Sequence, residues 1–413
     1  MLYSKEEVFD FIAEEDVKFI RLAFCDIMGK QKNVSVMPSE LERAFTDGIS
    51  VDASAIDGFG CIESSDLLIF PIPSTLNVLP WRPSHGKVVR MFCELRHPDG
   101  TPFECDTRMI LKKAAAHARD EGLDIKIGPE MEFYLFKTDE SGERTSVPFD
   151  NAGYMDVSPE DKGENVRRDI CLTLIDMGIQ PESSHHEEGP GQNEIAFRYS
   201  DPLTSADNTM NFITAVKASA QRAGLYADFS PKPLPGKSGS GMHINVSVKP
   251  RAGAGDKLPS EEELARFFMA GILAHIREIT AFLDPSDESY LRLGEMKAPR
   301  YVAWSRYNRS ALIRIPAGNG DSRRMELRSP DPMANPYLAF ALIIEAGIDG
   351  VKNRLDAGEE VCANLFASGA DYPTLPNSLA EAKKLAAQSA LVSRVLTPGL
   401  LSRLTDSAAP RTL

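Results

Sequence analysis

Ionisable side chains alternate with apolar ones in three short segments of the sequence, which is the pattern of a strand with one buried face. Glu130 and Glu132 lie in the first of these segments, His243 in the second and Glu326 in the third. The residues between them are methionine, phenylalanine, leucine, isoleucine and valine. Three strands are therefore predicted to present carboxylates and an imidazole on the side away from an apolar core.

Two further carboxylates, Glu187 and Glu194, flank a Gly-Pro-Gly turn. Carboxylates that crowd into one concave site repel one another unless cations offset their charge. Hard divalent ions such as Mg²⁺ and Mn²⁺ prefer carboxylate oxygens, and one imidazole is compatible with Mn²⁺. The alternatives are solvated strand faces and, for the histidine, a structural role in the core. The candidate ligands of the predicted metal site are Glu130, Glu132, Glu187, Glu194, His243 and Glu326.

Residues 292–328 are rich in arginine although the whole chain has a net charge of −14. Only three acidic residues stand among nine cationic ones in this segment. Guanidinium groups match the geometry of carboxylates and phosphates, and metals beside arginines suit phosphoryl transfer. A surface lattice of salt bridges is the alternative. The cationic residues are Arg292, Lys297, Arg300, Arg306, Arg309, Arg314, Arg323, Arg324 and Arg328.

The elements that would position these side chains also have sequence signals. Residues 5–15 are predicted to form a short helix, and Ser260 with Glu263 forms a capping box before an apolar helix. A cluster of turn residues at 97–102 predicts a boundary between a small α+β unit and a larger one. The predicted domains are residues 1–100 and 101–413.

Composition and charge exclude several classes of protein. The chain has 413 residues, 42% of them hydrophobic, which predicts globular domains with a large core. The acidic net charge disfavours a nucleic-acid partner, since phosphate polymers bind basic surfaces. Six cysteines without a Cys-x-x-Cys pair indicate free thiols in a reducing compartment. No apolar stretch approaches about 18 residues, so we expect a cytoplasmic protein without a membrane partner.

Several segments resemble the motifs of the glutamine synthetase family, class I, in the order in which that family has them. The resemblance covers nearly the whole chain. The matching segments are residues 52–56 (DASAI), 128–133 (GPEMEF), 185–187 (HHE), 191–194 (GQNE), 240–243 (SGMH), 308–316 (NRSALIRIP) and 328–337 (RSPDPMANPY).

This resemblance implies an α+β fold. The family has a small N-terminal β-grasp domain and a larger catalytic domain, in which helices flank a curved antiparallel β-sheet. Its members form homo-oligomers, usually dodecamers of two stacked hexameric rings, with active sites between subunits. The implied activity is an ATP-dependent ligase that joins glutamate and ammonium through γ-glutamyl phosphate.

The resemblance also implies roles for individual residues. Two Mg²⁺ or Mn²⁺ ions would be bound, one by Glu132, Glu187 and Glu194 and the other by Glu130, His243 and Glu326. Glutamate would contact Gly239, Arg292 and Arg328. ATP would contact Glu182, Ser247, Arg309, Arg314 and Arg324, of which Arg309 is also catalytic. Asp52 of an adjacent subunit would bind and deprotonate ammonium, and Glu295 is a candidate for the catalytic glutamate of the flap.

The sequence departs from the family pattern at positions that bear on the nucleophile. Lys297 stands where the flap normally has its glutamate, so Glu295 is expected to substitute for it. Ser238 replaces an asparagine that contacts glutamate, and Ala55 replaces a serine of the ammonium loop. Phe366 stands at the tyrosine that some members modify with AMP, so no adenylylation is expected there.

Two rival functions stay open. One is a γ-glutamyl ligase for an organic amine or polyamine, because an altered flap would admit a larger nucleophile. The other is a catalytically weak relative that serves as a regulatory or binding protein. Retention of Asp52 favours ammonium over an organic amine, and retention of all six candidate metal ligands favours an enzyme over a binding protein.

Overall fold

The computed structural model describes residues 3–60, 62–82, 85–253, 258–317, 324–368 and 371–406. Arg323 of the arginine-rich segment lies outside these ranges. Within them, no helix combines the length and the apolar character needed to span a bilayer.

The first part of the chain is a small α+β unit built on a mixed sheet. Its elements in chain order are α1 (Lys5–Glu14), β1 (Val17–Cys25), β2 (Gln31–Val36), α2 (Leu41–Thr46), β3 (Ile49–Asp52), β4 (Asp66–Pro71), β5 (Asn77–Val78) and β6 (Lys87–Arg96). The sheet order is β2-β1-β6-β4-β3, with β5 also paired to β6. β1 and β6 are parallel and the other pairs are antiparallel. This is the arrangement expected of the β-grasp domain.

A larger sheet carries the segments that could do chemistry. Its strands are β7 (Leu123–Thr138), β8 (Arg144–Pro148), β9 (Pro181–His186), β10 (Gln192–Phe197), β11 (Leu225–Asp228), β12 (Met242–Pro250), β13 (Trp304–Arg306), β14 (Ile313–Ile315) and β15 (Met325–Leu327). The order is β13-β14-β15-β12-β7-β10-β9, with β8 and β11 also paired to β7. Every pair except β13 with β14 is antiparallel. The long central strand β7 therefore has neighbours on both sides.

Helices cover the apolar face of this sheet, where α3, α5 and α6 pack against its central strands. Ile272 and Ile276 of α6 are fully buried, and Ser260 and Glu263 form the predicted capping box at its start. The helices are α3 (Thr107–Asp120), α4 (Glu164–Asp176), α5 (Pro202–Arg222), α6 (Glu261–Leu283), α7 (Asp287–Arg292), α8 (Pro336–Asn353), α9 (Leu365–Ser368), α10 (Leu379–Gln388), α11 (Ala390–Val395) and α12 (Pro398–Thr405).

The observed architecture confirms the predicted fold class of a β-grasp unit followed by a curled, mainly antiparallel sheet flanked by helices. The helix predicted at residues 5–15 is also confirmed, and it ends at Glu14. The domain boundary between residues 100 and 101 stays a prediction. It falls in a turn between β6 and α3, close to an isolated bridge of Arg96 with Pro102.

Candidate active site

Strand register brings the predicted metal ligands together. β7 lies between β12 and β10, so that His243 stands opposite Glu130, and Glu194 stands opposite Glu132. β15 pairs with the other side of β12 and contributes Glu326. A donor atom from each of Glu130, His243 and Glu326 lies within 4.8 Å of the other two. The three strands predicted from alternation therefore lie side by side with their ionisable residues in contact.

His243 occupies the middle of this carboxylate cluster. Its Nδ1 lies 3.7 Å from Glu130 Oε2 and 3.6 Å from Glu326 Oε1, and its Nε2 lies 3.9 Å from Glu132 Oε1. The opposite face of β7 is fully buried, as at Met131. Because a one-residue slip would exchange the two faces, the apolar core fixes which side the carboxylates take.

Glu187 and Glu194 extend the cluster toward His185. His185 Nδ1 is 3.5 Å from Glu187 Oε1, and its Nε2 is 3.3 Å from Glu194 Oε1. Glu194 also groups with Glu132 and His243 within 4.8 Å. All six candidate ligands thus belong to one continuous cluster. His185 is absent from the predicted set, although its place opposite Glu194 in the strand register puts it there.

Crowding of charge shifts the pKa values of the cluster. Burial, followed by repulsion from Glu132 and Glu194, raises the pKa of Glu187 to about 8. Burial also raises the pKa of Glu132. It acts in the same direction on Glu130, but His243, Asn245 and Arg324 together outweigh it and the pKa of Glu130 falls to about 2. Glu187 and Glu132 therefore favour the protonated form more than an exposed glutamate does.

The chemistry of the donor set fits hard divalent cations. Five carboxylates and an imidazole lie within one cluster, and four of these six residues are at least nine-tenths buried. A divalent ion would offset the repulsion that raises the pKa of Glu187. Mg²⁺ and Mn²⁺ suit these oxygen-rich ligands, and the imidazole is compatible with Mn²⁺.

Two arginines orient Glu326 within the cluster. Its Oε2 accepts a hydrogen bond from Arg314 Nε at 2.6 Å, and its Oε1 accepts one from Arg328 Nε at 3.1 Å. Arg328 also donates through Nη1 to the carbonyl oxygens of Arg309 and Lys297. The arginine-rich segment thus places guanidinium groups directly against the carboxylates.

Arg292 and Gly239, predicted to contact glutamate, lie against each other. Arg292 is buried, and its Nη1 donates to the Ser329 carbonyl at 2.5 Å. A Cβ atom at Gly239 would lie 2.8 Å from Arg292 Cγ, so only glycine permits this approach. Gln192 Nε2 donates to the Gly239 carbonyl at 3.1 Å and to Glu132 Oε2 at 3.0 Å. One side chain therefore joins the loop at Gly239 to the carboxylate cluster.

Two cavities adjoin the cluster on the side of Glu130. The smaller, of about 170 Å³, is bounded by Glu130, Glu182, Ser247 and Arg324. The larger, of about 380 Å³, shares Ser247 and Arg324 and reaches α6. Three of the five residues predicted to bind ATP therefore line a concave space beside a candidate metal ligand. Arg314 donates to Glu326, and the backbone carbonyl of Arg309 accepts from Arg328, which also contacts Glu326.

The flap residues make ion pairs of their own. Glu295 is largely exposed and pairs with Lys232 Nζ at 3.2 Å. Lys297 has a left-handed backbone with φ of 67°, and its Nζ forms an ion pair with Glu188. Ser238 Oγ lies 3.4 Å from the other oxygen of Glu188. Glu295 is thus held outside the carboxylate cluster, whereas Lys297 reaches toward the turn that carries Glu187.

Asp52 also lies outside the cluster. It ends β3 in the N-terminal unit, and its side chain is exposed. The backbone N–H and the hydroxyl of Ser54 donate to its Oδ1 at 2.9 and 2.6 Å. These hydrogen bonds lower the pKa of Asp52, so the carboxylate is ionised and available to a cation at the surface of the subunit.

Two protein-family models together match most of the chain. Residues 16–98 match the family described as "Glutamine synthetase, beta-Grasp domain", and residues 104–407 match "Glutamine synthetase, catalytic domain". The chain belongs to the glutamine synthetase family. This confirms the resemblance inferred from the motifs, and membership in this family makes the protein a ligase.

Individual relatives of the family are similar over almost their whole length. The chain is 47% identical over 408 residues to glutamine synthetase of Clostridium saccharobutylicum, covering 95% of this chain and 91% of the relative. It is 46% identical over 368 residues to that of Methanosarcina mazei, covering 88% and 82%. It is 43% identical over 417 residues to that of Staphylococcus aureus, covering 98% and 94%.

Solved structures show the same fold. A GmaS/ADP complex superposes with a TM-score of 0.87 at 29% identity, covering 96% of this chain and 93% of that chain. GmaS without ligand gives a TM-score of 0.86 at the same identity and coverage.

The motif comparison did not single out Gln192 as a functional residue. A signal for it was present, because Gln192 lies two residues before Glu194 and so shares its strand face. Buried amides on a face of carboxylates are suited to orient them by donating hydrogen bonds. In this family member, Gln192 orients Glu132 in that way.

Proposed function

We propose that this member of the glutamine synthetase family forms glutamine from glutamate, ammonium and ATP through γ-glutamyl phosphate. The observation that carries the proposal is the continuous cluster of Glu130, Glu132, Glu187, Glu194, His243 and Glu326 beside buried arginines. Relatives named glutamine synthetase at 43–47% identity support it. GmaS, bound to ADP in one solved structure, supports a nucleotide as substrate.

Mg²⁺ or Mn²⁺ would supply charge neutralisation for phosphoryl transfer at this site. In the proposal, Glu130, His243 and Glu326 hold one ion, and Glu132, Glu187 and Glu194 hold the other. Burial and repulsion from Glu132 and Glu194 raise the pKa of Glu187, and a cation bound there would offset that repulsion. His243 would remain neutral as a ligand, and Asn245 Nδ2, which donates to Glu130 Oε1 at 2.9 Å, would fix that carboxylate.

The arginines would bind and orient the substrates. Arg292, next to Gly239, would bind a carboxylate of glutamate, and Arg328 would stand between that substrate and Glu326. Arg309 and Arg314 would stabilise negative charge on the transferred phosphoryl group. Residues around the two cavities, Glu182, Ser247 and Arg324, would bind the rest of ATP. Exclusion of water by these packed side chains would protect the acyl phosphate from hydrolysis.

The assembly would complete the site. We propose a homo-oligomer, a dodecamer of two hexameric rings, in which Asp52 of one subunit reaches the catalytic sheet of the next. Its exposure and its lowered pKa suit a carboxylate that attracts ammonium. The preferred ion and the cytoplasmic location stay predictions from the donor set and from the cysteine content.

A second candidate is a ligase that uses an organic amine. The observation in its favour is the flap, where Lys297 replaces the usual glutamate and forms an ion pair with Glu188 instead of facing the cluster. The fold similarity to GmaS, a related ligase, leaves this alternative open. Glu295 pairs with Lys232, so neither flap residue offers a free carboxylate to an incoming ammonium ion.

One assay separates these functions. Phosphate release from ATP is measured with glutamate and Mn²⁺ or Mg²⁺, and ammonium, ethylamine and putrescine are compared as nucleophiles. We expect ammonium to give the highest kcat/KM, with glutamine as the product. Faster turnover with an organic amine would assign the second function, and no phosphate release with any amine would assign a binding role.

The same assay tests the metal cluster. Glu326→Gln keeps the size of the side chain but removes its charge, and we expect phosphate release to fall by roughly 10²-fold or more. Glu143→Gln, in an exposed turn, is the matched control and should retain full activity. Equal activity of the two variants would remove Glu326 from the proposed site.

A further inference from the structure

Two aspartates behind Arg292 are completely buried. Asp284 follows α6 and Asp331 follows β15, and both have no exposed surface. The backbone N–H of Asp331 donates to the carbonyl of Leu283 at 3.1 Å, next to Asp284, and the two carboxylates lie close enough to repel each other. Among the described residues, neither carboxylate oxygen of Asp284 has a hydrogen-bond partner, and Oδ2 of Asp331 has none. Three carboxylate oxygens are therefore removed from water without a hydrogen bond to replace it.

Arg292 is the cation next to this pair. Its Nη1 lies 3.9 Å from Asp284 Oδ1, and its guanidinium also donates to the carbonyl oxygens of Ser329 and Arg328. The same guanidinium reaches the loop before β12, because a Cβ atom at Gly241 would lie 2.7 Å from Arg292 Nη2. Arg292 thus faces the aspartates on one side and the proposed glutamate site on the other.

The charges do not balance if both aspartates are ionised. Two buried carboxylates and one guanidinium would leave a net negative charge in the interior, which is very unfavourable. One proton on the pair removes that excess and gives one carboxyl a hydrogen to donate to its neighbour. A single negative charge then matches the single positive charge of Arg292.

The pKa values of the pair point in the same direction. Burial, followed by repulsion from Asp331, raises the pKa of Asp284 well above its ordinary value. Burial raises the pKa of Asp331 to about 6, against the opposing effects of Ser289 and Arg292. Other titratable groups also face this region, and each of them adds negative charge or none. They are Tyr290, Asp287 and Glu288 of α7 and Glu381 of α10.

We propose that Asp284 and Asp331 share one proton and act together as positioning residues, which hold the guanidinium of Arg292 in place for a carboxylate of the substrate. The role of Arg292 rests on the proposed function, whereas the shared proton does not. Nothing in the reaction requires this proton to move. The pair sets the orientation and the net charge of the group that binds glutamate.

The shared proton is tested without any turnover. The infrared spectrum of the unmutated protein at pH 8 is compared with that of Asp284→Asn, in H₂O and D₂O. We expect the difference between the two spectra to contain a carbonyl band of a protonated carboxyl group that shifts in D₂O and comes only from the unmutated protein. Absence of this band from the difference spectrum would overturn the proposal. Asp139→Asn, at an exposed turn, should leave the band unchanged.

The positioning role is tested with a single and a double variant. Asp284→Asn keeps one negative charge on the pair, and its amide donates to Asp331 as the shared proton would, so KM for glutamate should stay within about twofold. Asp284→Asn with Asp331→Asn leaves Arg292 without a counter-charge, so KM for glutamate should rise about tenfold or more while KM for ATP is unchanged. If KM for glutamate were similar in the single and the double variant, the positioning role would be wrong. It would also be wrong if KM for glutamate and KM for ATP changed in parallel.

These outcomes also separate the proposal from the proposed function. If the protein makes no glutamine but shows the infrared band, the shared proton stands and the reaction assigned to the site is wrong. If it makes glutamine but lacks the band, the reaction stands and the pair does not carry a proton.

Discussion

Gln192 joins three parts of the site through one amide group. Its Nε2 donates to Glu132 Oε2 and to the carbonyl of Gly239, and its Oε1 accepts from the N–H of Gly189 at 2.8 Å. Since the side chain is buried, water cannot replace these partners without a rearrangement. A carboxylate with one oxygen fixed in this way presents its other oxygen in a defined direction to an ion.

Gln192→Leu should therefore weaken binding of the ion near Glu132. Leucine has a similar size but donates no hydrogen bond, and loss of a group that orients a metal ligand typically costs about 10–100-fold in metal affinity. The measurement is the Mn²⁺ concentration that gives half-maximal phosphate release, together with calorimetric titration of Mn²⁺. Gln180→Leu, at an exposed position, is the control. Unchanged Mn²⁺ affinity in Gln192→Leu would show that Glu132 needs no such support.

At the scale of elements, alternation in sequence predicted which residues share a strand face, and the structure agrees for Glu130 with Glu132. Alternation could not predict which strands are neighbours. Placement of His243 opposite Glu130 depends on pairing between strands more than a hundred residues apart. The family resemblance supplied that information for the six ligands. It did not supply Asp284, because a buried carboxylate after a helix has no motif of its own.

The flap shows why local conformation is harder to predict. Met296 and Lys297 both have positive φ, at 43° and 67°, although neither is glycine. Nothing in their residue types signals a left-handed backbone. The sequence suggested that Glu295 could take the place of the missing glutamate, and this stays a prediction. In the observed turn, Glu295 pairs with Lys232 and Lys297 pairs with Glu188.

Close contact of α6 with α8 behind the sheet gives a prediction at the same scale. A Cβ atom at Gly271 would lie 2.7 Å from the backbone nitrogen of Gly350 and closer still to the carbonyl oxygen of Ala346. Gly271→Ala should therefore push the helices apart and destabilise the protein by about 1–3 kcal/mol. The measurement is the midpoint of thermal unfolding by calorimetry.

A second helical glycine serves as the control for Gly271→Ala. Gly399 lies in α12, and a Cβ atom at this position would meet no described atom within 4 Å beyond its chain neighbours and its own helical backbone. Gly399→Ala should raise stability by up to about 1 kcal/mol, because alanine has the higher helix propensity. If both substitutions destabilised the protein to the same extent, neither packing against α8 nor helix propensity would distinguish the two positions.

At the scale of the molecule, the N-terminal unit is fixed to the catalytic sheet at points away from Asp52. Asn335, the N-cap of α8, donates through Nδ2 to the carbonyl oxygens of Asp26 and Ile27, at 3.3 Å each. Arg403 of α12 donates to the carbonyl of Gly58 at 2.5 Å. These contacts hold the unit in place while Asp52 stays exposed. In the proposed function, this carboxylate therefore acts at the catalytic sheet of a second subunit.

Mixed oligomers test that requirement. We expect Asp52→Ala and Glu326→Gln to be nearly inactive when each is assembled alone. If each site takes its sheet from one subunit and Asp52 from the next, random mixing of equal amounts of the two variants restores both groups in about a quarter of the sites. Phosphate release after co-assembly should then approach about a quarter of the rate of the unmutated protein, because only those sites contain both Glu326 and Asp52. If each site lay within one subunit, every site would still lack either Asp52 or the Glu326 carboxylate, and mixing would restore no activity.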